Sequence, residues 1–167
     1  MRTLYGATPH RIPRIEHGPR ADTDFIVVHD MESDSIDGVQ HYFETSSPDE
    51  VGAHLGIGLH GQLRQWADLD ALVYHAKGGN SHGIGIELAG FASLPRWRWI
   101  KRRNQRITLA KAIARLCHMY NLGLPTRHQN VKAHAEILAG GHTDPGPNFP
   151  WDAMGKLARK FYRKWDN

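Results

Sequence analysis

A four-residue apolar run, Phe25-Ile26-Val27-Val28, stops abruptly at His29-Asp30. Side chains of this kind, three of them β-branched, suit a strand covered on both faces. GIGIEL at 83–88 is a second short buried strand and carries Glu87 near its end. Strands buried on both faces need helices to cover them, so the expected class is α/β: a central mixed β-sheet flanked by α-helices. Open sheets of this class collect ligands at the carboxyl ends of their strands, which is where His29 and Asp30 fall. A carboxylate within a buried strand must turn outward or find a partner, which marks Glu87 as well.

The other elements follow from periodicity. Residues 33–47 have helical spacing, with Val39, Tyr42 and Phe43 on one face, and Ser46-Ser47-Pro48 stops the helix. Residues 51–66 read as a glycine-rich hairpin turning at His60-Gly61. The strongest helix covers 107–120, where Ile107, Ala110, Ala114 and Cys117 form a stripe beside Ile113, Leu116 and Tyr120; Gly123 and Pro125 end it. Residues 131–133 form a last strand leading into His134. A terminal helix over 152–164 turns Met154, Leu157, Ala158, Phe161 and Trp165 inward. Residues 1–22, rich in Arg, Pro and Gly, read as an N-terminal arm over the surface of a single domain spanning 23–167.

Composition narrows the class. A chain of 167 residues that is 40% hydrophobic and 23% charged builds its own core. No run approaches the roughly 18–20 apolar residues of a membrane span, and residues 1–20 lack the apolar centre of a secretory signal. One cysteine, Cys117, permits no intrachain disulfide, and its place on the helical stripe makes it a core residue. The formal charge of +4 favours polyanionic partners, nucleic acid or an anionic cell wall, without choosing between them.

Residues 133–151, AHAEILAGGHTDPGPNFPW, concentrate the metal-ligating chemistry. Imidazole and carboxylate both bind Zn²⁺, and catalytic sites use three protein ligands with a fourth position open. His134 and Asp144 are ten positions apart with Gly140-Gly141 between them, so the chain can fold back and bring them together. His29 is the candidate third ligand. Spacing this loose also fits a core or surface histidine and an aspartate that caps the Asp-Pro-Gly turn.

Four segments in order decide between these readings: FIVVHD at 25–30, VGAHLGIGLHGQL at 51–63, YHAKGGNSHGIGIELAG at 74–90 and KAHAEILAGGHTDPGPNFPW at 132–151. Together they resemble the zinc-dependent N-acetylmuramoyl-L-alanine amidases, a group that includes the peptidoglycan recognition proteins and phage lysozyme-type amidases. The resemblance covers roughly residues 24–152. It implies zinc held by His29, His134 and Asp144, with Glu87 as proton acceptor. It also implies that His75, Lys77 and Asn80, in the YHAKGGN loop, line the substrate groove. Enzymes of the family often carry a lysine two residues before the third ligand, where it steadies the oxyanion; here that residue is His142, which can donate a hydrogen bond in either protonation state. Some members have a tyrosine just before the second-strand histidine, where this chain has Ala53. Asp30, Glu136 and His128 read as supports of the ligands or as solvated groups.

The implied activity is hydrolysis of the amide between N-acetylmuramic acid and L-alanine in peptidoglycan. The setting would be a phage endolysin or its amidase module, monomeric, made in the host cytoplasm and acting on the wall after release. Two other readings stay open. One is a non-catalytic peptidoglycan-binding module, although such relatives usually lack the third ligand. The other is a nucleic-acid protein, suggested by the basic aromatic segment Trp97-Arg98-Trp99-Ile100-Lys101-Arg102-Arg103. That segment reads more simply as a solvated loop with an anchoring tryptophan, and no specific nucleic-acid partner is expected.

Overall fold

A computed structural model describes residues 1–47, 51–137 and 141–165. Six strands form one sheet: β1 (Thr8–Pro9), β2 (Phe25–Asp30), β3 (Leu55–Ile57), β4 (Leu63–Gln65), β5 (Gly83–Leu88) and β6 (Val131–Ala133). Their order is β1-β4-β3-β5-β2-β6. The hairpin β3–β4 is antiparallel and every other neighbouring pair is parallel, so the sheet is mixed. Four α-helices lie among the described residues: α1 (Ile36–Thr45), α2 (Arg96–Lys101), α3 (Arg103–Met119) and α4 (Trp151–Trp165).

Strand alternation sorts the two faces. Ile26 and Val28 of β2 and Ile84, Ile86 and Leu88 of β5 enter the larger core, beneath Leu109, Ile113 and Leu116 of α3 and Met154 and Ala158 of α4. The opposite face carries a second cluster, with Ile36 and Phe43 of α1 packed around Trp66. Gly56 of β3 is flat there for a reason: a Cβ would lie 2.2 Å from the Trp66 ring. On this second face β2 presents Phe25, Val27 and His29, and β5 presents Gly83, Gly85 and Glu87 directly alongside them. Ladder register therefore sets His29 beside Glu87.

Three local expectations change. Residues 97–103 are not a solvated loop, because α2 and the start of α3 occupy most of them; Trp99 is buried edge-on against Phe149, and Arg102 donates to the Ala89 carbonyl. Trp97 remains exposed beneath Arg98 and Lys101. Trp165 is exposed rather than inward, since α4 ends there and the ring faces the Arg115 guanidinium. Tyr42 is also exposed, because the buried stripe of α1 runs through Ile36, Val39 and Phe43.

Residues 1–22 run along the sheet edge, where β1 pairs with β4, and they add Leu4, Ile12 and Ile15 to the two clusters. Arg20 is buried and donates to the carbonyls of Asp22, Leu69 and Ala71. No helix among the described residues is long and apolar enough to cross a membrane.

Candidate metal centre

His29 is the penultimate residue of β2, and His134 follows β6, its neighbour in the sheet. Glu136 fixes the turn that begins at His134: its carboxylate accepts the Ala133 N–H at 2.6 Å and pairs with Arg127 and His128. Asp144 returns to the same place, with the Ala135 N–H donating to its carbonyl. His29 Nδ1 and His134 Nδ1 each lie 3.1 Å from Asp144 Oδ2. One ligand atom from each of the three residues falls within 4.8 Å of the others. Zinc bonds of ~2.0–2.1 Å to nitrogen and oxygen place tetrahedral ligands about 3.3 Å apart, close to these separations.

Hydrogen bonding tests whether the three residues fit a cation. His75 Nε2 lies 3.0 Å from the Gly83 carbonyl, which can only accept, so that nitrogen carries the proton. Burial, followed by the neighbouring His29 and His54, lowers the His75 pKa well below the usual imidazole value, so the ring is neutral and its Nδ1 is an acceptor. His29 Nε2, 3.1 Å away, must therefore donate. His29 is also held neutral by burial, which leaves a lone pair on Nδ1 facing the Asp144 carboxylate. Two acceptors at 3.1 Å repel unless a cation lies between them. The donor set and its protonation thus suit a divalent cation.

Electrostatics divides the surroundings by residue. Burial would raise the Asp144 pKa, but the His134 ring at hydrogen-bond distance outweighs it and holds the carboxyl ionised below the usual range. Glu87, half-buried beside His29, is pushed the other way by burial, with Asp144 and Asp30 adding to the rise. Its Oε2 has no hydrogen-bond partner among the described residues. Burial likewise lifts Asp30 to about 7. Behind the site, His54 is lowered to about 3 by burial and by Arg20; it accepts the Gly85 N–H on Nδ1, and its Nε2 lies 3.0 Å from the Ala71 carbonyl.

The three candidate ligands, Glu87 and Asp30 line an open cleft of about 310 Å³ whose rim carries Glu32, Val51, His142 and Thr143. His142 is exposed and stacks on His134, with ring centroids 3.8 Å apart. Ala53 is fully buried and offers no hydroxyl. Of the three residues expected to contact substrate, Lys77 is exposed, Asn80 half-buried and His75 buried. Asn80 accepts the His75 and Ala76 N–H groups at 3.0 and 2.7 Å, which closes the loop on itself. His75 forms the cleft's inner wall, with both ring nitrogens committed. Sequence reasoning placed His75 in the right region without showing the His29 contact; the signal was the alternation of Gly83 and Gly85 in β5, which leaves room for a ring on the Glu87 face.

A mixed sheet with a candidate metal centre in a cleft defines the class, and comparison with known proteins gives the family. The chain belongs to the N-acetylmuramoyl-L-alanine amidase family, whose model matches residues 19–147. Solved structures share the fold. A selenomethionine derivative of AmpD superposes with a TM-score of 0.71 at 24% identity, covering 93% of this chain and 96% of that one. Staphylococcus aureus hydrolase AmiA, in complex with its ligand, gives 0.73 at 20% identity over 95% and 85%. The catalytic domain of XlyA gives 0.66 at 18% identity over 91% and 99%. A search of curated proteins finds no match.

Proposed function

We propose that this chain is a zinc-dependent peptidoglycan amidase that cuts the amide between the lactyl group of N-acetylmuramic acid and L-alanine, in the manner of a lytic enzyme. The observation that carries the reading is the meeting of His29, His134 and Asp144 beside Glu87 in an open cleft. Family membership supports the amide as the bond attacked.

Held by those three side chains, zinc supplies polarisation of the scissile carbonyl and a lowered pKa for water. Glu87 is the proton carrier. In its ionised form it accepts a proton from the attacking water and passes it to the departing L-alanine nitrogen. Its unpartnered Oε2 leaves an acceptor free for that transfer. His142, on the rim, donates a hydrogen bond to the oxygen that becomes negative as the carbonyl is attacked. Asp144 stays ionised throughout and so keeps its negative charge for the cation.

The test is mass spectrometry of purified walls after digestion by wild type and by Glu87→Ala, with bound zinc measured in both. The reading requires new L-alanine amino termini on intact glycan strands from wild type only. Cleavage of the glycan strands instead would overturn it.

A further inference from the structure

We infer that His75 is a positioning residue for the metal site: it holds His29 in the tautomer and orientation that present Nδ1 to the ion, rather than contacting substrate. The inference rests on the amidase reading for the metal's purpose, but its evidence is the wall of the cleft.

Three observations converge on the His75 ring. Its two nitrogens are both used, Nδ1 toward His29 Nε2 at 3.1 Å and Nε2 toward the Gly83 carbonyl at 3.0 Å. A backbone carbonyl cannot change from acceptor to donor, so direction runs one way along the chain: Gly83 fixes His75, and His75 fixes His29. The backbone beneath is shaped for the ring, because a Cβ on Gly85 would lie 2.7 Å from His75 Cγ. The loop that delivers the ring is pinned from behind by the Asn80 side-chain carbonyl, which takes the N–H groups of His75 and Ala76. The ring is buried and meets His29 nearly perpendicularly, at 89°. A residue built to bind substrate would leave a polar atom open to the cleft, and His75 has none to spare.

Without an acceptor at His75 Nδ1, the alternative tautomer of His29 becomes available. Its proton then sits on Nδ1, where the ion belongs, and must be displaced before binding. A partner that orients a ligating histidine contributes about 10–100-fold to metal affinity.

The experiment measures zinc affinity by competition with a chromogenic chelator for wild type, His75→Phe and His75→Gln. Far-ultraviolet dichroism confirms that each metal-free variant is folded. Phenylalanine fills the space but cannot accept, and should weaken zinc binding about 10–100-fold. Glutamine restores an acceptor oxygen and should recover part of the loss. Equal affinities in all three, or an increased KM at unchanged zinc affinity, would overturn the inference in favour of substrate contact.

Nitrogen NMR of unmutated protein gives a second readout should either variant fail to fold. A scalar coupling across the hydrogen bond from His29 Nε2 to His75 Nδ1 is required, and its absence overturns the inference. A wild type that takes no zinc would sink the amidase reading, while this coupling, measured in metal-free protein, still decides the role of His75.

Discussion

The two sides of the cleft are built differently. The inner wall is sheet: His29 on β2, Glu87 on β5 and the rings of His75 and His54 laid against Gly85. The outer rim is loop, with Glu32 and Val51 on it together with His142 and Thr143. Burial disfavours charge along the wall: it lowers the pKa of His29, His54 and His75 and raises that of Glu87 and Asp30. Asp144, at the seam, is the carboxylate held ionised. Wall residues should therefore govern whether the site assembles and reacts, and rim residues should only adjust the rate.

The seam itself should give the largest effect. Asp144→Ala removes that carboxylate and leaves two imidazoles. Zinc content measured after dialysis should fall to background, and activity should drop about 10³-fold or more, as loss of several kcal/mol implies. Retained zinc would break the distinction between seam and rim at once.

Next comes Glu87→Gln, which keeps the shape and removes the base. The expected loss in kcat is about 10²–10⁴-fold, with zinc content unchanged.

The same substitution sharpens the contrast through stability. A carboxyl whose folded pKa is raised binds more protons folded than unfolded, so its contribution is present below the unfolded pKa near 4.5 and is lost as pH rises. Glutamine mimics the protonated form. Metal-free Glu87→Gln should match wild type in urea melts at pH 4 and exceed it at pH 8, by about 1–3 kcal/mol, the cost of an unsatisfied buried polar group. A variant less stable than wild type at pH 8 would show that Glu87 has a partner in the fold.

Substitutions at exposed residues should be smallest. His142→Ala removes an exposed donor, and solvent screens what remains, so about a tenfold fall in kcat is expected rather than the 10²–10³ of an enclosed oxyanion site. Lys77→Ala should raise KM a few-fold and leave kcat alone. A His142 effect equal to that of Glu87 would move the rim residue into the reacting core.

Much of this architecture was legible in the chain. The run 25–28 and the GIGIEL segment marked β2 and β5, and the order of four segments pointed to His29, His134, Asp144 and Glu87 as one set. Register was not legible. Nothing in the spacing of residues 29 and 87 says that they lie side by side, because parallel pairing joins strands through long connections with no local signature. The histidine relay was hidden for a related reason: the polar loop at 74–80 has an ordinary groove-lining composition, and only the ladder brings Gly85 under His75. The segment 97–103 misled because its cations are conspicuous, whereas Trp99, the residue that folds it, looks no different from the exposed Trp97.

The Arg20 guanidinium shares the Ala71 carbonyl with His54, whose ring edge meets His75, itself the partner of His29. The amino-terminal strap is in this way a tie-rod behind the hydrolytic centre. Proteolytic trimming up to residue 20, or a fusion that pulls this segment away, would slacken the chain of imidazoles from behind and reduce metal retention without touching one ligand.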